Sequence, residues 1–388
     1  MLLLDIIRVT TFFRGDDMSK VYFINMRANM KKTSLKRLRE LVLKSNFDEI
    51  LEKNDITAVK VHFGEKGNVA YLRPIYVREI IDMIKEKGAR PFLTDVNTIY
   101  KGSRSDAIVH LQTAIENGFN YASMNVPIII ADGLKGEAKI DKHFNNLKHY
   151  KVIEIPEAIY YADSLIVLSH FKLHEVTGFG GALKNVGMGL ATKRGKLSMH
   201  STVAPYVKDK KCIGCKLCIK WCPMNAIEFI NGRSTINSEK CIGCGQCLGT
   251  CPEAAISLKW DASSSVLQER MMEQCYAMLQ NKKAKVLFVN FCIDIVPECD
   301  CYGYSDAKIL PDLGIFASTD PVAIDKACVD MVLKSIPLEK TETVLKERAK
   351  NSDVFRWVYP EIDYNVQFEY ACKLGLGSLK YELIKLSL

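Results

Sequence analysis

What this chain lacks narrows its identity first. Its 388 residues hold no apolar run of the roughly 18–20 residues that a membrane-spanning helix needs. The opening residues 1–7, MLLLDII, are too short for a signal-peptide core. They also have no basic stretch before them and no small-residue cleavage site after them. There is no low-complexity segment. No Walker lysine loop occurs, and the glycines form no dinucleotide fingerprint, because Gly178 and Gly180 would need Gly or Ala at 183, where Leu183 stands. Lys and Arg number 53 against 45 Asp and Glu, yet the excess is spread along the chain. The densest basic tract (Lys31, Lys32, Lys36, Arg37, Arg39) reads as one solvated helix face, which argues against a nucleic-acid partner. These absences together predict a cytoplasmic protein with no membrane attachment.

What is abundant is cysteine, 14 in all. Without an export signal, disulfides are the weaker reading of that number. Eight of them form two matched runs. Cys212, Cys215, Cys218 and Cys222 precede Pro223, and Cys241, Cys244, Cys247 and Cys251 precede Pro252, so both runs fit C-x₂-C-x₂-C-x₃-C-P. This is the pattern of a ferredoxin with two 4Fe–4S clusters, in which the fourth cysteine of each run serves the other cluster. One set should therefore be Cys212, Cys215, Cys218 and Cys251, and the second Cys241, Cys244, Cys247 and Cys222. Gly214, Gly243 and Gly245 allow the tight turns that wrap a chain round a cluster. Zinc sites need only four ligands each and usually pair two C-x₂₋₄-C motifs, a poorer fit to this pattern.

Around this module the sequence alternates strand and helix. Apolar runs at 58–63, 90–94, 126–130 and 164–168 read as buried strands, and 75–86 and 105–118 carry helical periodicity. After the module, 263–280 reads as a helix and 285–291 and 313–317 as strands. Asp320 before Pro321 is a strong helix start. The expected fold class is α/β, a mostly parallel sheet with helices on its faces, plus an inserted small α+β ferredoxin-like module. Its divisions are an extension at 1–17, the first part of the α/β domain at 18–204, the module at 205–259 and the second part at 260–388. For the extension two readings stand: either Met18 is the biological start, or the MLLLDIIRV stretch adds a strand.

Ligands of open α/β sheets bind beyond the carboxyl ends of the strands. Those ends hold His62 and Gly64, Asp95 and Asn97, Asp132 and Gly133, and His170. Next to His170, residues 169–189 supply two histidines, two lysines, an asparagine and five glycines. Lys172 and Lys184 could neutralise a small anionic ligand, and His174 could supply a proton. Gly180 and Gly181 would let the backbone approach a cofactor, with Asn185 beside them. A glycine-rich loop merely packed beneath the module is the bland alternative. Lys193, Arg194, Lys196 and His200 could line the same pocket or lie on the surface. Past the strand at 285–291, Cys299 and Cys301 would point the same way on extended backbone, with Asp300 turned away. They could form a third metal or redox site, with Cys292, His170 and His174 as further ligands. A direct Cys299–Cys301 disulfide would strain so short a loop. Cys275, Cys328 and Cys372 read as core residues.

The run from His170 to Gly189, the Glu298-Cys299-Asp300-Cys301 segment, residues 311–325 and the terminal Gly375-Leu376-Gly377-Ser378 with Tyr381–Ile384 resemble, in order and spacing over nearly all of 20–388, the family called domain of unknown function 362. The resemblance implies an iron–sulfur protein of anaerobe-like redox metabolism but supplies no reaction. It draws attention to Lys172, His174, Lys184, Asn185, Cys299 and Cys301. The leading expectation is an oxidoreductase that takes electrons from a soluble donor and passes them to a site in the α/β domain, its partner being a soluble electron donor or acceptor protein. A non-enzymatic electron carrier and a redox sensor are the rivals.

Overall fold

The computed structural model describes residues 18–201, 204–259, 262–282, 285–338 and 353–388. The candidate strand at 1–17 lies outside them. The strands of the main sheet are β1 (Ser19–Ile24), β2 (Ile56–Val61), β3 (Arg90–Asp95), β4 (Ile128–Ile130), β5 (Ser164–His170), β6 (Val286–Cys292), β7 (Gly314–Ser318) and β8 (Tyr381–Lys385). Their order across the sheet is β8-β1-β7-β6-β5-β2-β3-β4. All neighbours pair parallel except β7, which runs antiparallel to both β1 and β6. This is the mostly parallel α/β sheet expected from the alternating pattern.

The central strands are apolar on both faces because helices cover both. Every residue of β5 and β6 is buried. Side chains alternate along a strand, so Leu165 and Val167 enter one core while Ile166 and Leu168 enter the other. The helices Ser34–Lys44 and Pro74–Glu86 cover the second face through Leu38, Leu41, Val77 and Ile80. The helices Ser264–Gln280 and Pro321–Lys334 cover the first through Met271, Cys275, Val322 and Ala327. Asp320 caps the latter as its sequence predicts, accepting from Val322 N at 2.8 Å and Ala323 N at 2.9 Å. Its other oxygen accepts from Ser19 Oγ and Ser378 N, which ties β1 and the segment before β8 to the same helix. β8 went unassigned in the sequence because it is short, half-exposed and at the sheet edge.

The cysteine-rich segment lies between β5 and β6, which are nearest neighbours in the sheet. It has two short antiparallel ribbons, Tyr206–Val207 with Ile256–Ser257 and Ile227–Ile230 with Arg233–Ile236. The short helices Leu217–Trp221 and Gln246–Thr250 each carry the third cysteine of a run. A third, small core joins this segment to the sheet domain. There Ile99 and Leu197 pack with Cys218, Cys247, Leu248, Cys251 and Ile256.

Candidate functional site

Two cavities in the inserted segment gather the eight cysteines. Cys212, Cys215, Cys218 and Cys251 line one, and Cys222, Cys241, Cys244 and Cys247 line the other. Each set thus mixes both runs, in the division the spacing predicts. The two halves repeat a detail of hydrogen bonding: Ala226 N donates to Cys222 Sγ and Ala255 N to Cys251 Sγ, both at 3.2 Å. Gly214, Gly243 and Gly245 have φ of 70°, 67° and 73°, the left-handed region that glycine occupies without a Cβ clash. Among the described residues, no three His, Cys, Asp or Glu side chains stand close enough to share one metal ion.

A much larger cavity, about 750 Å³, opens beyond the carboxyl ends of β2, β3 and β5. That is within the usual range of small-molecule sites, roughly 300–1,000 Å³. Lys172, His174, Lys184, Asn185, Gly180, Gly181, Cys299 and Cys301 all line it. So do His62, Asp95 and His170 from the strand ends, and Lys196 and His200 from the helix Lys193–His200. Arg194 instead pairs with Glu154, and Lys193 reaches Gln246 of the inserted segment. No residue of 205–259 lines this cavity. It therefore belongs to the sheet domain, not to a cleft between the domain and the insertion. The insertion meets its outer wall through Ile99, which lines the cavity and also packs in the third core.

The lining is cationic. Lys66, Lys101, Arg104, Lys172, Lys184 and Lys196 face it, against the carboxylates Glu65, Asp95 and Glu175. Arg104 is 2% exposed; its Nε bonds Glu65 at 3.0 Å, while its Nη2 has no partner. Lys196 Nζ donates to Asn97 O at 2.9 Å and Ala191 O at 2.8 Å, and burial brings its pKa down to about 7.

The cysteine pair departs from the expected geometry. Tyr302 N donates to Cys299 O at 3.1 Å, so residues 299–302 form a turn rather than extended backbone. Asp300 does not line the cavity with the two cysteines. Its carboxylate accepts from Lys172 Nζ at 2.6 Å and from His170 Nδ1 at 2.8 Å. Buried beside these cations, it is held well below the usual carboxylate range. Both thiols still face the cavity. Lys184 Nζ lies 3.3 Å from Cys299 Sγ. The Cys301 thiol, with Lys184 and His174, outweighs burial and pushes the Cys299 pKa well below that of an ordinary thiol. Cys299 and Cys301 in turn raise the Lys184 pKa against the cost of burial.

Several expected ligands do not join the pair. Cys292 is fully buried in the core, next to Cys328, and does not line the cavity. Both ring nitrogens of His170 are committed, Nδ1 to Asp300 and Nε2 to Ile293 O at 2.9 Å. His174 Nδ1 accepts from Val176 N and Thr177 N, leaving Nε2 as the donor that faces Cys299 and Glu175. The Asn185 amide is used internally, accepting from Lys60 at 2.7 Å and donating to Leu168 O and Ser169 Oγ. A Cβ on Gly181 would stand 2.3 Å from Asp325 Oδ1, so that glycine makes room for a carboxylate rather than a ligand. A Cβ on Gly180 would press on the stems of Lys184 and Lys172. Cys275 and Cys328 lie in the core, and Cys372 packs half-buried against it.

An open, mostly parallel α/β protein with a cationic cavity at its strand ends and an inserted eight-cysteine segment is the class these features define. The chain belongs to the family described as Domain of unknown function (DUF362), whose sequence model matches residues 57–330. No curated protein sequence matches it. Among solved structures, it is similar to the lactate racemase apoprotein from Thermoanaerobacterium thermosaccharolyticum, with 14% identity and a TM-score of 0.38. The similarity covers 81% of this chain and 58% of that one. A crystal structure of a Thermotoga maritima protein, solved as a structural-genomics target, gives 12% identity and a TM-score of 0.40 over 79% of this chain and 60% of that one. The chain thus spans less than two thirds of either structure's length. No described helix is long and apolar enough to cross a membrane.

Proposed function

We propose that this protein is an iron–sulfur oxidoreductase that receives electrons from a soluble protein and spends them on a small anionic substrate. The observation that carries the reading is the sorting of eight thiols into two cavities of four, each drawn from both runs. A 4Fe–4S cluster is a polynuclear group, so its thiolates stand further apart than ligands of a single ion, which suits sets that enclose a space. Cys212, Cys215, Cys218 and Cys251 would hold one cluster, and Cys222, Cys241, Cys244 and Cys247 the second. Such clusters supply one-electron transfer at low potential.

The residues of the sheet domain supply the rest. Arg104, Lys172, Lys184 and Lys196 would draw in and orient a carboxylate or phosphate. Lys196 is the group placed to give a proton, and His174 Nε2–H the group placed to donate a hydrogen bond. Ile99 and Leu197 hold the cysteine segment against the wall of the cavity. A concave cavity of this size favours an enzyme over a carrier, for which a flat docking face would suffice.

The direct test is analysis of anaerobically purified protein. The expected content is about eight iron and about eight sulfide per chain, with a reduced electron-spin signal from two interacting centres. Zinc in place of iron would overturn the reading.

A further inference from the structure

We infer that Cys299 is a nucleophile for thiol–disulfide exchange with small disulfides that carry carboxylate or phosphate groups. The inference rests on the anionic-substrate reading above and names the substrate class of that same cavity.

Three independent features converge on Cys299. Its sulfur is buried at 2% exposure, faces the cavity and has the Lys184 ammonium 3.3 Å away. Its turn is fixed, because Asp300 is clamped between Lys172 and His170 and Tyr302 N closes back on Cys299 O. Cys301 lines the same wall and can give a proton without a partner of another type. Burial raises most thiols, but here the neighbours favour the thiolate at Cys299 and leave the proton on Cys301. A soft thiolate attacks sulfur readily, and the departing thiolate needs an acid at hand.

Arg104 supplies the recognition. It is 2% exposed and lines the cavity, and among the described residues Glu65 is its one side-chain ion-pair partner while Nη2, enclosed in the wall, has none. A buried guanidinium whose hydrogen bonds are incompletely matched favours an anion beside it, and a carboxylate or phosphate in the cavity supplies one.

The step balances as follows. The Cys299 thiolate attacks one sulfur of R–S–S–R, the S–S bond breaks, and a Cys299–S–S–R bond forms. The leaving thiolate takes the Cys301 proton and departs as RSH. Two electrons then cleave the mixed disulfide. Two protons restore the Cys301 thiol and complete the second RSH. The electrons come from the soluble one-electron donor protein of the proposed function. Closure to a Cys299–Cys301 disulfide is not needed, and its short ring would strain it.

The test needs no electrons, so its failure is distinct from failure of the iron analysis. Anaerobic protein with its iron content measured is treated with 5,5′-dithiobis(2-nitrobenzoate), which carries two carboxylates, or with neutral 4,4′-dithiodipyridine, and peptides are mapped by mass. The expected result is one adduct on the Cys299 peptide, lost in Cys299→Ser. Removing one charge-assisted contact should slow the dianionic reagent about tenfold or more in Arg104→Gln, with little effect on the neutral one. Should Arg104→Gln fail to fold, the salt dependence of the native protein serves instead: added salt should slow the dianionic reagent and leave the neutral one unchanged. An unlabelled Cys299, or equal responses of the two reagents, would overturn the inference.

Discussion

The Lys172 ammonium and the Asp300 carboxylate meet at 2.6 Å, both buried, across 128 residues of sequence. The pair fastens the turn that carries Cys299 and Cys301 to the strand pair Lys172–His174 and Gly178–Gly180. Asp300→Asn keeps the shape but leaves Lys172 buried without its counter-charge. Breaking a buried pair from one side costs about 3–5 kcal/mol. The variant should therefore unfold at markedly lower denaturant concentration. If it still folds, alkylation of Cys299 should slow, because the turn that presents it is no longer held. Native stability in Asp300→Asn would mean the pair does not fasten the turn.

Much of this architecture can be read from the sequence, and the reasons are physical. β5 and β6 are buried on both faces, so each carries a dense apolar run, Leu165–Leu168 and Val286–Val289, with no alternation. The cysteine sets are legible because the two runs repeat one spacing, C-x₂-C-x₂-C-x₃-C-P. Lys172, His174 and Lys184 stand out through their density of polar groups among glycines. The turn at 299–302 was hidden, since Asp300 is placed by residues more than a hundred positions away. Arg104 sits in the polar loop after β3, where nothing local separates it from a solvated arginine. Lys60 did leave a signal: it is the one charge inside the apolar run of β2.

That lysine sits under the cavity floor. Lys60 is fully buried, with Nζ 3.0 Å from Asp95 Oδ1 and 2.7 Å from Asn185 Oδ1. Lys60→Met would leave the buried Asp95 carboxylate without this counter-charge. A loss of about 3–5 kcal/mol is expected by chemical denaturation. Adding Asp95→Asn removes the stranded charge, so the double variant should recover part of that loss. A double variant less stable than Lys60→Met would show that Asp95 is balanced by other cations instead.

Asp325 sets a pH dependence of stability. Its carboxylate accepts from Ala182 N at 2.7 Å, Leu183 N at 2.9 Å and Asn290 Nδ2 at 2.6 Å. Burial outweighs these bonds and raises its pKa from 3.8 to about 7. Between about pH 4 and about pH 7 the folded chain keeps a proton that the unfolded chain releases. The contribution of this group is thus fully present below pH 4 and is lost as pH rises through 7. Asp325→Asn cannot titrate, so its stability relative to the native protein should climb across that window. Denaturant midpoints of both proteins at pH 4.5, 6 and 7.5 measure this. A constant difference would mean that Asp325 is ionised throughout.

Cys222 offers the sharpest test of the cysteine assignment, because sequence proximity and spatial grouping disagree about it. In sequence it closes the run of Cys212, Cys215 and Cys218. In space it lines the cavity of Cys241, Cys244 and Cys247. The chain achieves this because the helix Leu217–Trp221 carries Cys218 towards one cavity and ends just before Cys222, whose Sγ accepts from Ala226 N on the side of the other. Cys222→Ser replaces a thiolate by a poor iron ligand. On the proposed assignment, the cluster of Cys241, Cys244 and Cys247 should then lose an iron or be lost, so that iron falls from about eight to between about four and about seven per chain. The spin–spin interaction in the reduced spectrum should weaken or vanish while one intact centre remains. Cys251→Ser should do the reciprocal damage to the cluster of Cys212, Cys215 and Cys218. Paired with Cys241→Ser, Cys222→Ser should add little further loss, since both strike one cluster; paired with Cys212→Ser it should damage both. If the double variants behave the other way round, each run holds its own cluster and the cross-ligated grouping is wrong.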